Sequence, residues 1–315
     1  MPANIIETIN LTKQYRNGVL ALDNLNLKIP KGEVVGYVGS NGAGKTTTMK
    51  IITNLIRPTS GESYIDGFNT ISEPKKALRN VGALIEIPGI YEYLTPKEML
   101  TYYGKVYGMT TNDVMHRIGE VLHLLRLSEW ENTKIGSFST GMVRRLNIAK
   151  AMIHNPKILL LDEPVLGLDP QGIMDIRELI KHLQRTGVTI FLSSHLLQEI
   201  SETCNRIIFL ERGRVVRTDT VSEIKKRTEL KKIHVVFLTS PGRAEIDKIT
   251  KVPHVTNLEG RDGMFHIGYD GKPETSSAIL EGLLASGFKV ISFTPERASL
   301  EDYYVSVIQG GRRMN

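Results

Sequence analysis

Residues 34–38 read VVGYV, residues 39–47 read GSNGAGKTT, and residues 49–56 read MKIITNLI. A short β-branched run, a glycine-rich loop and a helical stretch in that order turn backbone N–H groups and a helix N-terminus toward an anion. Lys45 adds a point charge for outer phosphates, and the Thr46 hydroxyl stands where such a loop holds magnesium. Gly39, Gly42 and Gly44 let the backbone turn sharply and come close to a ligand. The whole run Gly39, Ser40, Asn41, Gly42, Ala43, Gly44, Lys45, Thr46 and Thr47 is therefore expected to bind a nucleoside triphosphate, with the flanking strand and helix as the confirming context.

A phosphate loop needs a second strand that delivers a carboxylate to the metal. Residues 158–163, ILLLDE, supply it: an apolar strand ends in Asp162, expected to reach magnesium, followed by Glu163, expected to polarise the attacking water. Around these two motifs, short apolar runs alternate with longer helical stretches over the first two-thirds of the chain, which predicts an α/β domain with a mainly parallel sheet. The expected strands are 34–38, 81–85, 158–161 and 189–192. Residues 94–133 place Leu122, Leu125, Leu127 and Trp130 at helical spacings and predict a helical insertion. From about residue 221 the order changes to β-α-β-β-α-β, with strands at 231–238, 254–258, 264–269 and 288–293, a GRDG turn inside the middle pair, and helices at 243–250 and 274–286. That order predicts a small α+β domain of ferredoxin-like arrangement.

Composition limits what else the chain can be. With 315 residues, 41% hydrophobic and 23% charged, it is long enough for one large and one small globular domain. A net charge of +6 permits an anionic partner, but the basic residues are spread along the chain. One cysteine, Cys204, excludes an internal disulfide or a cysteine metal cluster and suits a packed core thiol. No apolar run reaches the ~18 residues needed to span a bilayer, so a cytosolic chain is expected and any membrane role requires a second subunit.

Residues 137–152, SFSTGMVRRLNIAKAM, join the two halves, and with them the chain resembles the ATP-binding subunits of ABC transporters over about residues 4–220. The resemblance implies an ABC-type P-loop NTPase with ATP and Mg2+ as ligands, a helical subdomain at about 94–155 and an accessory domain at 221–315. It implies that Phe138-Ser139-Thr140-Gly141-Met142 matches the signature, usually LSGGQ, that contacts the γ-phosphate held by the opposite subunit. Ser139 and Gly141 keep the hydroxyl and the close backbone that anion binding needs; Thr140 and Met142 depart from the pattern. Leu166-Gly167-Leu168-Asp169 resembles the loop whose aspartate lies across a dimer interface, His195 in FLSSHLLQE the histidine that touches the γ-phosphate, and Tyr15 the aromatic that stacks on adenine.

By the same resemblance the chain is expected to form a homodimer around two ATP molecules and to drive an integral membrane permease from the cytoplasmic face of the membrane, as a peripheral subunit. The C-terminal extension and residues 85–100, IEIPGIYEYLTPKEML, look like the subgroup that serves drug, bacitracin or lantibiotic resistance exporters. The alternative is a soluble ABC-type ATPase acting on nucleic acid or ribosomes, for which Lys225-Lys226-Arg227 and Lys231-Lys232 are the best argument. Against it, the interval from Lys45 to Ser139 is too short for an inserted coiled coil and only one ATPase unit is present. No nucleic-acid partner is expected.

Glu86 closes the apolar run 81–85 in VGALIEIPG. A carboxylate at the end of a buried strand is expensive without a partner. In the family this position is usually a glutamine near magnesium and the attacking water, so Glu86 is expected to act with Glu163 and His195 and, with Thr46 and Asp162, to hold the metal; the alternative is a structural salt bridge.

Overall fold

The structure is a computed structural model; it describes residues 4–86, 89–227, 232–261, 263–296, 303, 304 and 307. The chain divides into two compact units, Met1–Val221 and Ser222–Asn315. In order, the first contains β1 (Asn4–Gln14), β2 (Leu20–Pro30), β3 (Val34–Val38), α1 (Lys45–Ile52), β4 (Ser60–Ile65), β5 (Phe68–Asn69), α2 (Pro74–Ala77), β6 (Val81–Leu84), α3 (Pro96–Val106), α4 (Thr111–Leu124) and α5 (Thr140–Met152), then β7 (Ile158–Asp162), α6 (Pro170–Arg185), β8 (Thr189–Ser194), α7 (Leu197–Thr203), β9 (Arg206–Glu211) and β10 (Arg214–Thr220). Next come α8 (Val221–Arg227), β11 (Lys232–Phe237), α9 (Arg243–Thr250), β12 (Asn257–Arg261), β13 (Met264–Gly268), α10 (Pro273–Ala285) and β14 (Val290–Glu296).

The functional strands lie side by side in a six-stranded sheet ordered β10-β9-β3-β8-β7-β6. Every pairing from β9 to β6 is parallel, and only β10 is antiparallel. All five residues of β3 and of β7 are buried, as expected of strands covered on both faces. Because the strands run the same way, the C-terminal ends of β3, β7 and β8 emerge at one edge, where open α/β sheets place their ligands.

A second sheet, the antiparallel β2-β1-β4-β5, was not apparent in the sequence. β2 pairs back onto β1 through a tight turn, where Tyr15 N donates to Val19 O and Gly18 N to Tyr15 O. One core cluster joins the two sheets, running from Ile6, Leu25 and Leu27 through Met49 and Ile52 of α1 to Tyr37 and Phe191. The phosphate loop therefore rests on a helix clamped by packing rather than on a mobile surface segment.

The helical insertion is present as α3, α4 and α5, each opened by a hydroxyl cap. Thr95 forms a capping box with Glu98 before Pro96, Thr110 accepts from Asp113 N, and Ser139 accepts from Met142 N. Leu122, Leu125 and Leu127 are buried, whereas Trp130 is exposed. Cys204 is buried, and burial pushes its thiol up to about 12, the inert core role read from the sequence.

The second unit has the strand order β12-β13-β11-β14, antiparallel throughout. With α9 and α10 this is the ferredoxin-like β-α-β-β-α-β arrangement, built on Ile233, Val235, Phe265, Ile267, Ile279 and Leu283. The strand expected at 254–258 begins instead at Asn257, because His254 adopts a left-handed turn conformation at φ 71°. The expected GRDG turn includes Asp262, which lies outside the described residues. Among the described residues no helix is long and apolar enough to cross a membrane.

Candidate functional site

The loop after β3 closes onto α1 without help from any side chain. Gly44 is the N-cap at φ 111°, and no side-chain cap bond is made to the helix. A Cβ at Gly44 would lie 2.5 Å from Ala21 O, so both the conformation and the close approach require glycine. Gly42 has φ 80°, with open space where its Cβ would be. Lys45 is 7% exposed and folds back over the loop, where Nζ donates to Gly39 O at 2.7 Å and Ser40 O at 3.3 Å. Beneath it, the buried Tyr37 hydroxyl meets Thr48 Oγ1 at 3.1 Å, and Thr48 donates to Gly44 O. Burial holds the Tyr37 phenol well above its usual range, so this floor stays neutral.

Asp162 ends β7 and is only 5% exposed. Its Oδ2 accepts from Thr46 Oγ1 at 2.8 Å, and its Oδ1 accepts from Ser193 Oγ at 2.5 Å. Glu163 follows in the left-handed region at φ 49°. Its amide donates to Ser193 Oγ at 3.0 Å and Ser193 O at 3.2 Å. Its carboxylate has Oε2 2.9 Å from His195 Nδ1 and Oε1 3.7 Å from Lys45 Nζ. Five of the expected residues, Lys45, Thr46, Asp162, Glu163 and His195, thus converge at one sheet edge.

An uncapped helix N-terminus, a buried lysine, a hydroxyl and an aspartate side by side form a donor set that fits a Mg2+–triphosphate: amides and ammonium for the anion, hard oxygens for the cation. Among the described residues no cluster of three or more His, Cys, Asp or Glu could hold a metal ion alone.

Tyr15 reaches the same helix, its hydroxyl 3.2 Å from Thr47 Oγ1, with Lys13 Nζ 5.3 Å above its ring. Ser139, Gly141 and Asp169 form a second group. Ser139 caps α5, Asp169 caps α6 by accepting from Gly172 N at 2.8 Å, and Leu168 lies 3.4 Å from the Cβ position of Gly141.

Glu86 departs from expectation. The strand stops at Leu84, Glu86 turns left-handed at φ 58°, and its side chain is 62% exposed rather than buried. Its carboxylate pairs with Lys50 Nζ of α1 at 2.5 Å. The apolar run 81–85 implies a buried end, but the strand stops at Leu84 and the left-handed conformation of Glu86 itself accompanies its exposed side chain. Ile87 and Pro88, which follow, lie outside the described residues.

Three contributors were missed. Ser193 stands one residue past the expected strand 189–192 and figures in the sequence only inside the FLSSHLLQE run around His195, Lys50 only within the helical stretch 49–56, and Arg144 only as one of two arginines in MVRRL. The sequence signal for Arg144 was weak: a cation on a helix face otherwise turned to the core. Of the two basic clusters, only the Lys232 side chain is among those described.

The comparisons agree with this geometry. Residues 22–166 match the model described as ABC transporter, and residues 220–308 match that of the C-terminal domain of DrrA1-3-like ATP-binding proteins. The chain is 35% identical to the bacitracin transport ATP-binding protein BcrA of Bacillus licheniformis, covering 98% of this chain and 99% of that protein. It is 36% identical to BcrA of Enterococcus faecalis, covering 98% and 97%. Among solved structures, the cassette MJ0796, a dimer in a post-hydrolysis state bound to ADP and Pi, superposes with a TM-score of 0.63 at 30% identity, covering 69% of this chain and 98% of that one. Similarity across nearly the full length of both chains, on a cassette fold that gathers its phosphate loop and paired carboxylates at one sheet edge, makes this chain a member of the ABC transporter ATP-binding family, an ABC ATPase.

Proposed function

We propose that the chain is the ATP-hydrolysing subunit of an ABC exporter, working as a homodimer around two ATP molecules and driving a separate membrane permease from the cytoplasmic face. The observation that carries this reading is the meeting of Thr46 with Asp162, and of Glu163 with Lys45 and His195, at the end of the parallel sheet. Lys45 and the loop amides hold the outer phosphates, and Tyr15 offers its ring to the base. Thr46, Asp162 and Glu86 are the residues that would hold magnesium, which would supply positive charge to offset that of the phosphates. Glu163 accepts the proton of the attacking water, and His195 fixes the direction of that carboxylate. Ser139 and Gly141, at the opening of α5, present backbone and hydroxyl to the nucleotide of the opposite subunit, while Asp169 lies across the dimer interface.

The nearly full-length similarity to bacitracin transport proteins supports a peptide antibiotic or a comparable drug as cargo, and export as immunity as the purpose. ATP that binds the closed dimer more tightly than the open one can bias an attached permease between two states. Steady-state hydrolysis by the purified chain tests the site. Glu163→Gln should lower turnover by about 10²- to 10⁴-fold while ATP affinity stays within a few-fold. Wild-type turnover in that variant would reject the assignment.

A further inference from the structure

Arg144 lies on α5, in the second turn after the Ser139 cap, and is 4% exposed. A buried guanidinium is costly unless its donors are used. Burial pulls the Arg144 pKa down, and the charges of Asp162 and Glu163 offset this in part. Its partners are nevertheless carbonyls rather than carboxylates: Nη2 donates to Glu163 O at 2.8 Å and to Leu166 O at 3.2 Å. Neighbouring Arg145 makes the more ordinary choice, reaching Asp175 at 3.6 Å and Leu125 O at 3.3 Å.

What Arg144 grips is a residue under conformational load. Glu163 sits at φ 49°, a region that costs an L-residue about 1–3 kcal/mol and persists only where the surroundings over-determine it. Its amide is held by Ser193. Its carbonyl accepts from Arg144 and from Leu166 N at 3.1 Å. With both flanking peptide groups held, the Cα–Cβ direction of Glu163 is set, and with it the approach of the carboxylate to His195 and Lys45. The second bond, to Leu166 O, grips the first residue of the Leu166–Asp169 turn, whose Leu168 packs near Gly141.

We infer that Arg144 is a positioning residue for hydrolysis: its two carbonyl bonds hold Glu163 in its working orientation and tie that orientation to the helix that opens at Ser139. This rests on the reading of Glu163 as the general base. It gives the chain an internal link between the turn offered to one nucleotide and the carboxylate that acts on the other.

The test uses the full chain and steady-state ATP hydrolysis in Arg144→Met, which keeps an unbranched apolar stem but no donors, and in Arg144→Lys. Arg144→Met should lose about 10- to 100-fold in kcat, the scale of a misplaced catalytic group, with KM for ATP within twofold. Arg144→Lys should recover part of the loss, since an ammonium donates but lacks the planar fork. On a Glu163→Gln background, Arg144→Met should change kcat by less than twofold, because it acts through Glu163. A wild-type kcat in Arg144→Met, or a fall that persists in full on the Glu163→Gln background, would overturn the inference. Should Arg144→Met fail to fold, Arg144→Lys decides: a lowered kcat at unchanged KM supports the inference, and an unchanged kcat overturns it. Wild-type turnover in Glu163→Gln alone would instead remove the reading beneath the inference, and the inference with it.

Discussion

Thr46 at the start of α1 donates its hydroxyl hydrogen to Asp162 at the end of β7 across 2.8 Å, although 116 positions separate them in sequence. The bond joins the phosphate loop to the carboxylate strand. What lies around it governs how firmly the two halves stay together.

Ser193 is the shared strut. It donates to Asp162 Oδ1 and accepts from the Glu163 amide. In Ser193→Ala both partners lose a bond inside the protein, and an unsatisfied buried group costs about 1–3 kcal/mol. The unfolding midpoint in urea should fall accordingly, and hydrolysis should fall with it. A midpoint unchanged from wild type would show that the two groups find other partners.

Glu86 and Lys50 form a half-exposed pair, and such pairs contribute about 0–1 kcal/mol. Glu86→Gln and Lys50→Met should therefore leave the unfolding midpoint almost unchanged. If Glu86 leaves Lys50 to serve magnesium, Glu86→Gln should raise the magnesium concentration needed for half-maximal hydrolysis, and Lys50→Met should lower it. Identical magnesium titrations in all three proteins would confine the pair to a structural role.

The His154 ring stacks on Tyr107, with centroids 3.8 Å apart, and bonds to Val81 O at 3.1 Å. Burial holds its imidazole below the usual range, with the bond to Val81 O acting the other way. Because the folded pKa is depressed, the unfolded chain takes up the proton first as pH falls. The contribution to stability is full above the unfolded value of about 6.5 and is lost as pH drops toward the folded one. Urea midpoints at pH 7.5 and 5.5 should show wild type losing more stability than His154→Gln. An equal loss in both would contradict this.

The site was legible in the sequence wherever its chemistry is contiguous. Gly39 to Thr47 and Ile158 to Glu163 each hold strand, turn and functional group in one run, so pattern and geometry coincide. The C-terminal β-α-β-β-α-β order was readable for the same reason, since its alternation is local. Ser193, Lys50 and Arg144 were not, because each acts on residues brought near only by the parallel sheet and the packing of α5. The antiparallel sheet was missed because its strands β1, β2 and β4 are interrupted by the phosphate loop and α1. Glu86 was misjudged because five preceding residues imply a buried strand, whereas one left-handed residue turns its side chain to solvent.

The proposed function requires ATP to be held between two copies of this chain, the phosphate loop of one facing the Ser139 turn of the other. Light scattering coupled to size exclusion on Glu163→Gln measures it most directly, because blocked hydrolysis keeps the closed state populated. The expected result is a monomer without nucleotide and a mass twice that in ATP and magnesium, reverting to monomer when Ser139→Arg is added. A monomer under saturating ATP, or a dimer indifferent to nucleotide, would contradict it.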